Sequence, residues 1–299
     1  MPHDRVAVLT GIACMVLATA CFAVLDTTVK YIASTVSLLM AVTVRYLVQA
    51  LLSTAVLVPL HGASLLRIRY PRLQLLRALV FVATTVLAML ALLRMPVGEF
   101  AAMMMVTPIL VTVLSVTVMK EKVSVLHWLC LVGGMAGTLV ILRPGSHLGL
   151  GWWALIPLAC IACGTAFQLL SGHLGQHENA ATTHLCTVWI AAVLGLLALP
   201  WTWSPVASAG LWGLMVFMGV IGAAGHFILM KAYGRAPAST LMPYMYCQIG
   251  FAVLCGWWVF AHAPDAWAWG GIAVITLCGI GSAWLTARQH RPPARLPET

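Results

Sequence analysis

Apolar residues run in ten stretches of membrane-crossing length along this chain, separated by short polar breaks. They centre on residues 6–25, 38–59, 75–93, 97–118, 125–142, 150–171, 182–200, 210–230, 237–260 and 266–286, spans 1 to 10 in order. About 20 residues at 1.5 Å of rise cross a hydrocarbon core of roughly 30 Å. Lipid cannot satisfy a free backbone N–H or C=O, so helices are the expected spanning element. No stretch is polar or long enough to form an extramembrane domain. The first stretch, Val6 to Leu25 behind Arg5, shares the layout of a signal peptide, with Ala18-Thr19-Ala20 at the place of a cleavage site. Its apolar run is longer than such a leader and nine more spans follow, so it reads as an uncleaved first helix.

Composition sharpens this picture. Of 299 residues, 62% are hydrophobic and 8% charged, against roughly 45–50% and about 25% in soluble domains. So few charges cannot cover a soluble exterior of this size; the solvent for most of the surface is lipid. The formal charge of +9 suits nucleic acid only if the basic residues form a patch, and they do not. The nine cysteines all lie inside apolar runs, which argues against a disulfide framework. Cys160-x-x-Cys163 has a redox or metal spacing but no second ligand pair, so it reads as small apolar filler. No metal site or cofactor is expected.

Most of the Lys and Arg residues mark topology. With the N-terminus in the cytoplasm, the inner segments hold Arg5, Arg67, Arg69, Arg72, Arg77, Lys120, Lys122, Lys231, Arg235, Arg288, Arg291 and Arg295. The outer segments hold Lys30, Arg94 and Arg143. This positive-inside bias places both termini in the cytoplasm of a bacterial inner membrane.

A repeat is visible at a spacing of 141 residues. Ala91-x-x-Arg94-x-Pro96 corresponds to Ala232-x-x-Arg235-x-Pro237, Met104 to Met245 and Trp128 to Trp269. Five spans per unit is an odd number, so the second copy enters from the opposite face. The expected organisation is a first repeat over 1–145, a second, inverted repeat over 146–287, and a basic cytoplasmic tail over 288–299. The fold class is all-α: ten transmembrane helices as two inverted repeats around a central cavity, with the substrate site at the midplane where the halves meet.

On these residues, with Pro108 in span 4, the turn Lys120-Glu121-Lys122, Trp128 and glycines Gly133, Gly134 and Gly137, the chain resembles the drug/metabolite transporter superfamily. The likeness is to its ten-helix EamA-type exporters, and among them to YddG-like amino-acid exporters. It covers nearly the whole chain and departs at Ala261-His262-Ala263, which stands where the first half has Lys120-Glu121-Lys122. The resemblance implies a central cavity lined by spans 3, 4, 8 and 9, and net efflux of metabolites by alternating access.

Intramembrane polar groups are costly, so each is a candidate site. Arg45 reads either as a carboxylate-binding or gating charge or as a structural ion pair. Asp26 and Lys30, four apart on one helical face at the end of span 1, suit a salt bridge to each other or to Arg45, with a gate strut as the alternative. Glu99 opens span 4, where a carboxylate suits a helix N-terminus; proton or cation coupling is the sharper reading. His226 is the deepest titratable group of span 8, suited to a proton relay, a substrate bond or a neighbouring carbonyl. His184 is placed at the interface.

The 141-residue spacing pairs Met103 with Tyr244, Thr107 with Gln248 and Thr85 with His226. By the resemblance these six face one another across the cavity, with Tyr246 and Trp257 as weaker lining candidates. Pro108, Pro157 and Pro243 interrupt apolar spans; Pro108 and Pro243 are the candidate hinges. Gly133-x-x-x-Gly137 permits close approach, expected against span 10. No Walker loop, dinucleotide fingerprint or His-Glu-x-x-His occurs, and no catalytic residue is expected. The expected partners are a small-molecule substrate and membrane lipid, in a monomer or homodimer, without nucleic acid. The leading function is export of neutral or aromatic amino acids. A broad drug/metabolite exporter is the alternative, and a lipid-modifying enzyme or a pure channel the rival from another class.

Overall fold

The computed structural model describes residues 5–33, 35–92, 97–143, 155–206, 208–261 and 263–289. Among them every regular element is a helix: α1 (Arg5–Ile32), α2 (Leu38–His61), α3 (Pro71–Leu92), α4 (Val97–Met104), α5 (Thr107–Thr117), α6 (Val125–Leu142), α7 (Leu155–His177), α8 (Ala180–Thr202), α9 (Ala209–Tyr233), α10 (Ala238–Leu241), α11 (Cys247–Phe260) and α12 (Ala266–Gln289). Nine helical stretches are long and apolar enough to span a membrane, Ala238–Phe260 among them, and Thr107–Thr117 is a shorter apolar helix. With α4 and α5 taken as one broken crossing, these are the ten spans read from the sequence.

The break in span 4 has a local cause. Pro108 has no N–H to give the Met104 carbonyl, and the chain tightens into three-residue turns, Val106 bonding Met103 and Ile109 bonding Val106 (3.1 Å each). Pro108 therefore starts α5 rather than kinking a continuous helix. Span 9 breaks likewise: a 3-10 segment, Met242–Tyr246, contains Pro243 and separates α10 from α11. The two breaks touch. Tyr246 donates its hydroxyl to the Met105 carbonyl (3.1 Å), a partner exactly 141 residues away. Pro157 lies in the first turn of α7 and interrupts nothing described.

The 141-residue spacing recurs in backbone geometry. Shifted by that amount, α2 lands within a residue of both ends of α8, and Pro59 inside α2 falls on Pro200 inside α8. Lys120 and Ala261, the positions where the two sequences diverge, both have φ 56°. A left-handed backbone costs a non-glycine residue roughly 1–2 kcal/mol, so the same turn is kept in both halves with unrelated side chains. Packing follows suit: α1 lies on α9 and α3 on α7, while α2 meets α8 and α6 meets α12. Each pairing maps onto itself or its counterpart under the shift.

At the end of the bundle where α3 begins, the Glu178 carboxylate accepts the backbone N–H groups of Arg69 and Tyr70 (2.8 Å each). Tyr233 donates to Gln168, and Gln176 to the Tyr233 carbonyl. Glu121 accepts the Ser239 N–H (3.2 Å) at the start of α10. At the opposite end Arg143 and Asp265 form an ion pair, both side chains about half exposed. The Ala268 N–H and Arg143 hold the Asp265 carboxyl below its ordinary range. Water screens a pair this open, so it contributes little to stability.

Candidate transport site

Helical spacing aims the polar groups of the interior at one another. Phe22 and Asp26 on α1, Arg45 and Gln49 on α2, and Phe81 and Thr85 on α3 are each four apart and share a face. On α3 the same stripe begins with Arg77.

Helix α1 runs to Ile32, well past the expected end at residue 25. Asp26 therefore stands inside the helix, six residues or about 9 Å from its end. Its carboxylate accepts a bond from Gln248 of α11 (2.8 Å) and faces Arg45 electrostatically. The expected salt bridge of Asp26 to Lys30 or Arg45 is absent; among the described residues the ion pair is Arg143–Asp265. Lys30 instead lies over the Phe260 ring (4.8 Å). Asp26 is exposed, at the contact between α1 and α11.

Arg45 is 9% exposed, its guanidinium 4.5 Å over the Tyr46 ring and its Nε without a partner. Gln49, one turn deeper, is fully buried with both amide atoms unpartnered. His226 of α9 sits between two rings, Phe22 at 4.8 Å and Phe81 at 5.1 Å. Phe81 continues to Tyr46 (5.6 Å) and Phe167 (5.1 Å), and Tyr46 donates to or accepts from Thr85 (2.9 Å). The result is an aromatic wall crossing the bundle beside a carboxylate, a guanidinium and two glutamines.

Of the six residues expected to face one another, Gln248, His226 and Thr85 reach this region. Thr107 lies by Thr84 and Gly164, on the α7 side. Met103 is half-buried on α4. Tyr244 is 2% exposed and turned to α12, its ring against Gly279. Tyr246 is a clamp: its ring fills the space over Gly134 while its hydroxyl holds Met105. Trp257 is 45% exposed beside Trp269 on the outer face of the bundle. The Glu99 side chain, Arg94 and residues 290–299 of the basic tail lie outside the described parts of the chain. His184, about one turn into α8, is buried against the protein and bonded to Ser53 (2.8 Å).

Sequence reasoning missed Arg77, which it counted as a loop charge. The side chain is 2% exposed. Nε donates to Ser171 (2.8 Å), Nη1 to Thr187 and to the Thr183 carbonyl, and Nη2 to the Met230 thioether (3.1 Å). The guanidinium also lies over Phe167 (4.6 Å). The signal was present in the stripe Arg77–Phe81–Thr85, which only an inward-facing arginine continues. Gln49 and Phe81 were likewise passed over.

Residues 9–143 match the EamA-like transporter family. The chain is 27% identical to a riboflavin transporter of Vibrio cholerae over 198 residues, 66% of each protein. It is 27% identical to the pseudopaline exporter CntI of Pseudomonas aeruginosa over 276 residues, 90% of this chain and 94% of the exporter. A solved crystal structure superposes with a TM-score of 0.77 at 18% identity, covering 96% of this chain and all of the other, and so shares its fold. A helical multi-pass bundle and transporter relatives along most of its length converge: residues 9–143 form an EamA-like transporter domain, and the chain is a membrane transporter rather than an enzyme.

Proposed function

We propose that this chain carries a small aromatic metabolite across a bacterial inner membrane by alternating access, exporting it from the cell. The observation that carries this reading is the exposed Asp26–Gln248 pair beside the ring sandwich around His226. Flat aromatic walls hold a ring, and fixed polar groups orient its edges. The halves 1–145 and 146–287 act as inverted repeats, with the end rich in arginine, and both termini, in the cytoplasm. Asp26, Lys30 and Arg45 form the outer gate, and Thr85, His226 and Gln248 line the site. The breaks at Pro108 and Pro243 serve as paired hinges, since discontinuous helices can pivot without losing regular hydrogen bonds.

Two solute classes fit. The relatives named as riboflavin transporters favour a fused heteroaromatic ring, whose carbonyl and imide edges suit glutamine and arginine. A neutral or aromatic amino acid is the second reading. It is favoured by Asp26 and Arg45, opposite charges held near each other without forming an ion pair, which match an ammonium and a carboxylate. Uptake of labelled riboflavin and labelled tryptophan into proteoliposomes separates the two. Flux of one solute at least tenfold above empty liposomes is expected, and background flux for both sinks the aromatic-metabolite reading. Pro108→Ala with Pro243→Ala is expected to slow that flux severalfold while leaving solute binding intact. Unchanged flux in the double variant removes the hinges.

A further inference from the structure

A second cation stands at the far end of the aromatic wall, and among the described residues no carboxylate pairs with it. Arg77 is six residues into α3, about 9 Å from the end of the bundle opposite Asp26. Its partners are two hydroxyls, one carbonyl and a thioether. A buried charge without a counter-charge costs several kcal/mol. The thioether on Nη2 is a weak acceptor, so that edge of the guanidinium is the least satisfied. At the 141-residue spacing the position of Asp26 is taken by Phe167, the ring beneath the guanidinium. One end of the bundle thus offers a carboxylate with an arginine, the other an arginine alone.

The two arginines are joined by rings in continuous contact: Arg45 on Tyr46, Tyr46 to Phe81, Phe81 to Phe167, Phe167 under Arg77. With Asp26 the interior carries one uncompensated positive charge among these three groups. We propose that Arg77 is a second binding station for the transported solute, reached when the α3 end of the bundle opens, and that the solute is an aromatic carboxylate. The carboxylate supplies the missing counter-charge and takes the Nη2 edge from Met230, while the ring slides along the wall between the two arginines. This rests on the reading of the chain as an aromatic-solute carrier and selects within it the class that bears a carboxylate.

The test compares the purified full chain with Arg77→Lys and Arg77→Met. Thermal unfolding is followed in detergent with indole-3-carboxylate, with its neutral carboxamide, and without solute. The carboxylate is expected to raise the unfolding midpoint of the wild-type chain and of Arg77→Lys, and the carboxamide is not. Arg77→Met is expected to bind the carboxylate at least about tenfold more weakly, the loss of one charge-assisted hydrogen bond. Without solute, it should be as stable as the wild-type chain or more so, because an apolar side chain removes a buried charge. Two results overturn the station: no carboxylate-specific stabilisation of the wild-type chain, or a solute-free Arg77→Met midpoint well below it, the mark of a structural lock. Riboflavin flux in proteoliposomes alongside either result leaves the carrier reading standing.

Discussion

Asp26→Asn is expected to lower the flux of whichever labelled solute the wild-type chain moves by about ten- to a hundredfold, the worth of one charge-assisted hydrogen bond. The exchange conserves shape, and the new amide can still meet Gln248, now 2.8 Å from the carboxylate. What disappears is the negative charge facing Arg45. An arginine 9% exposed with an unpartnered Nε then lacks its nearest counter-charge. Gln248→Ala keeps the charge and removes one neutral donor, so its effect should be smaller. Initial rates in proteoliposomes at matched protein density measure both variants, with gel-filtration profiles reporting on folding. Flux within twofold of the wild-type chain in Asp26→Asn removes the carboxylate from the transport site.

The spans were legible because lipid imposes a single rule, a long apolar run closed on itself by helical hydrogen bonds, and composition alone reveals such runs. The 141-residue spacing was legible for a different reason. Arg94-x-Pro96 and Arg235-x-Pro237 are rare pairs in an apolar background, and the spacing they suggested reappears as the Tyr246–Met105 hydrogen bond. The apparent departure at residues 120 and 261 was a departure in side chains only. The backbone requirement, φ 56° at both positions, leaves no mark on residue type when neither half uses glycine.

Helix ends and side-chain direction were less legible. The first span read as ending at residue 25 because a polar residue ordinarily ends an apolar run, yet α1 continues to Ile32 with Thr27 and Thr28 bonding carbonyls of their own helix. Arg77 was lost the same way: two residues into an apolar run, a charge suggests a snorkelling end. Its depth is set by hydroxyls on α7 and α8 that no local pattern connects to it. Tyr244 was placed by the 141-residue pairing and Tyr246 by its nearness to it, and neither says which side of a 3-10 turn the ring takes. That turn sends Tyr246 onto Gly134 and Tyr244 onto Gly279.

Gly271→Leu is expected to prevent accumulation of folded protein, and Gly271→Ala to cost about 1–3 kcal/mol, the usual range for overpacking a filled interior. The seam between α6 and α12 brings backbone against backbone. A Cβ at Gly271 meets the Gly137 carbonyl oxygen and the Ile141 Cγ1 at 2.5 Å, and one at Gly137 meets the Gly271 carbonyl at 2.9 Å. A carbonyl cannot turn aside as a side chain can, so the two helices must part along the seam. Parting moves α6, whose Gly134 seats the Tyr246 ring that holds the break in span 4. The damage therefore spreads from a packing seam to the proposed hinges. Gly270 and Gly256, with open space at the Cβ position, serve as controls. Alanine at either should be neutral or stabilise by up to about 1 kcal/mol, since glycine is the poorer helix former. Folded yield and thermal unfolding in detergent measure the series. Gly271→Leu behaving like Gly270→Leu would show that the two helices do not meet at this seam, and the clamp built on Gly134 and Tyr246 would lose its support.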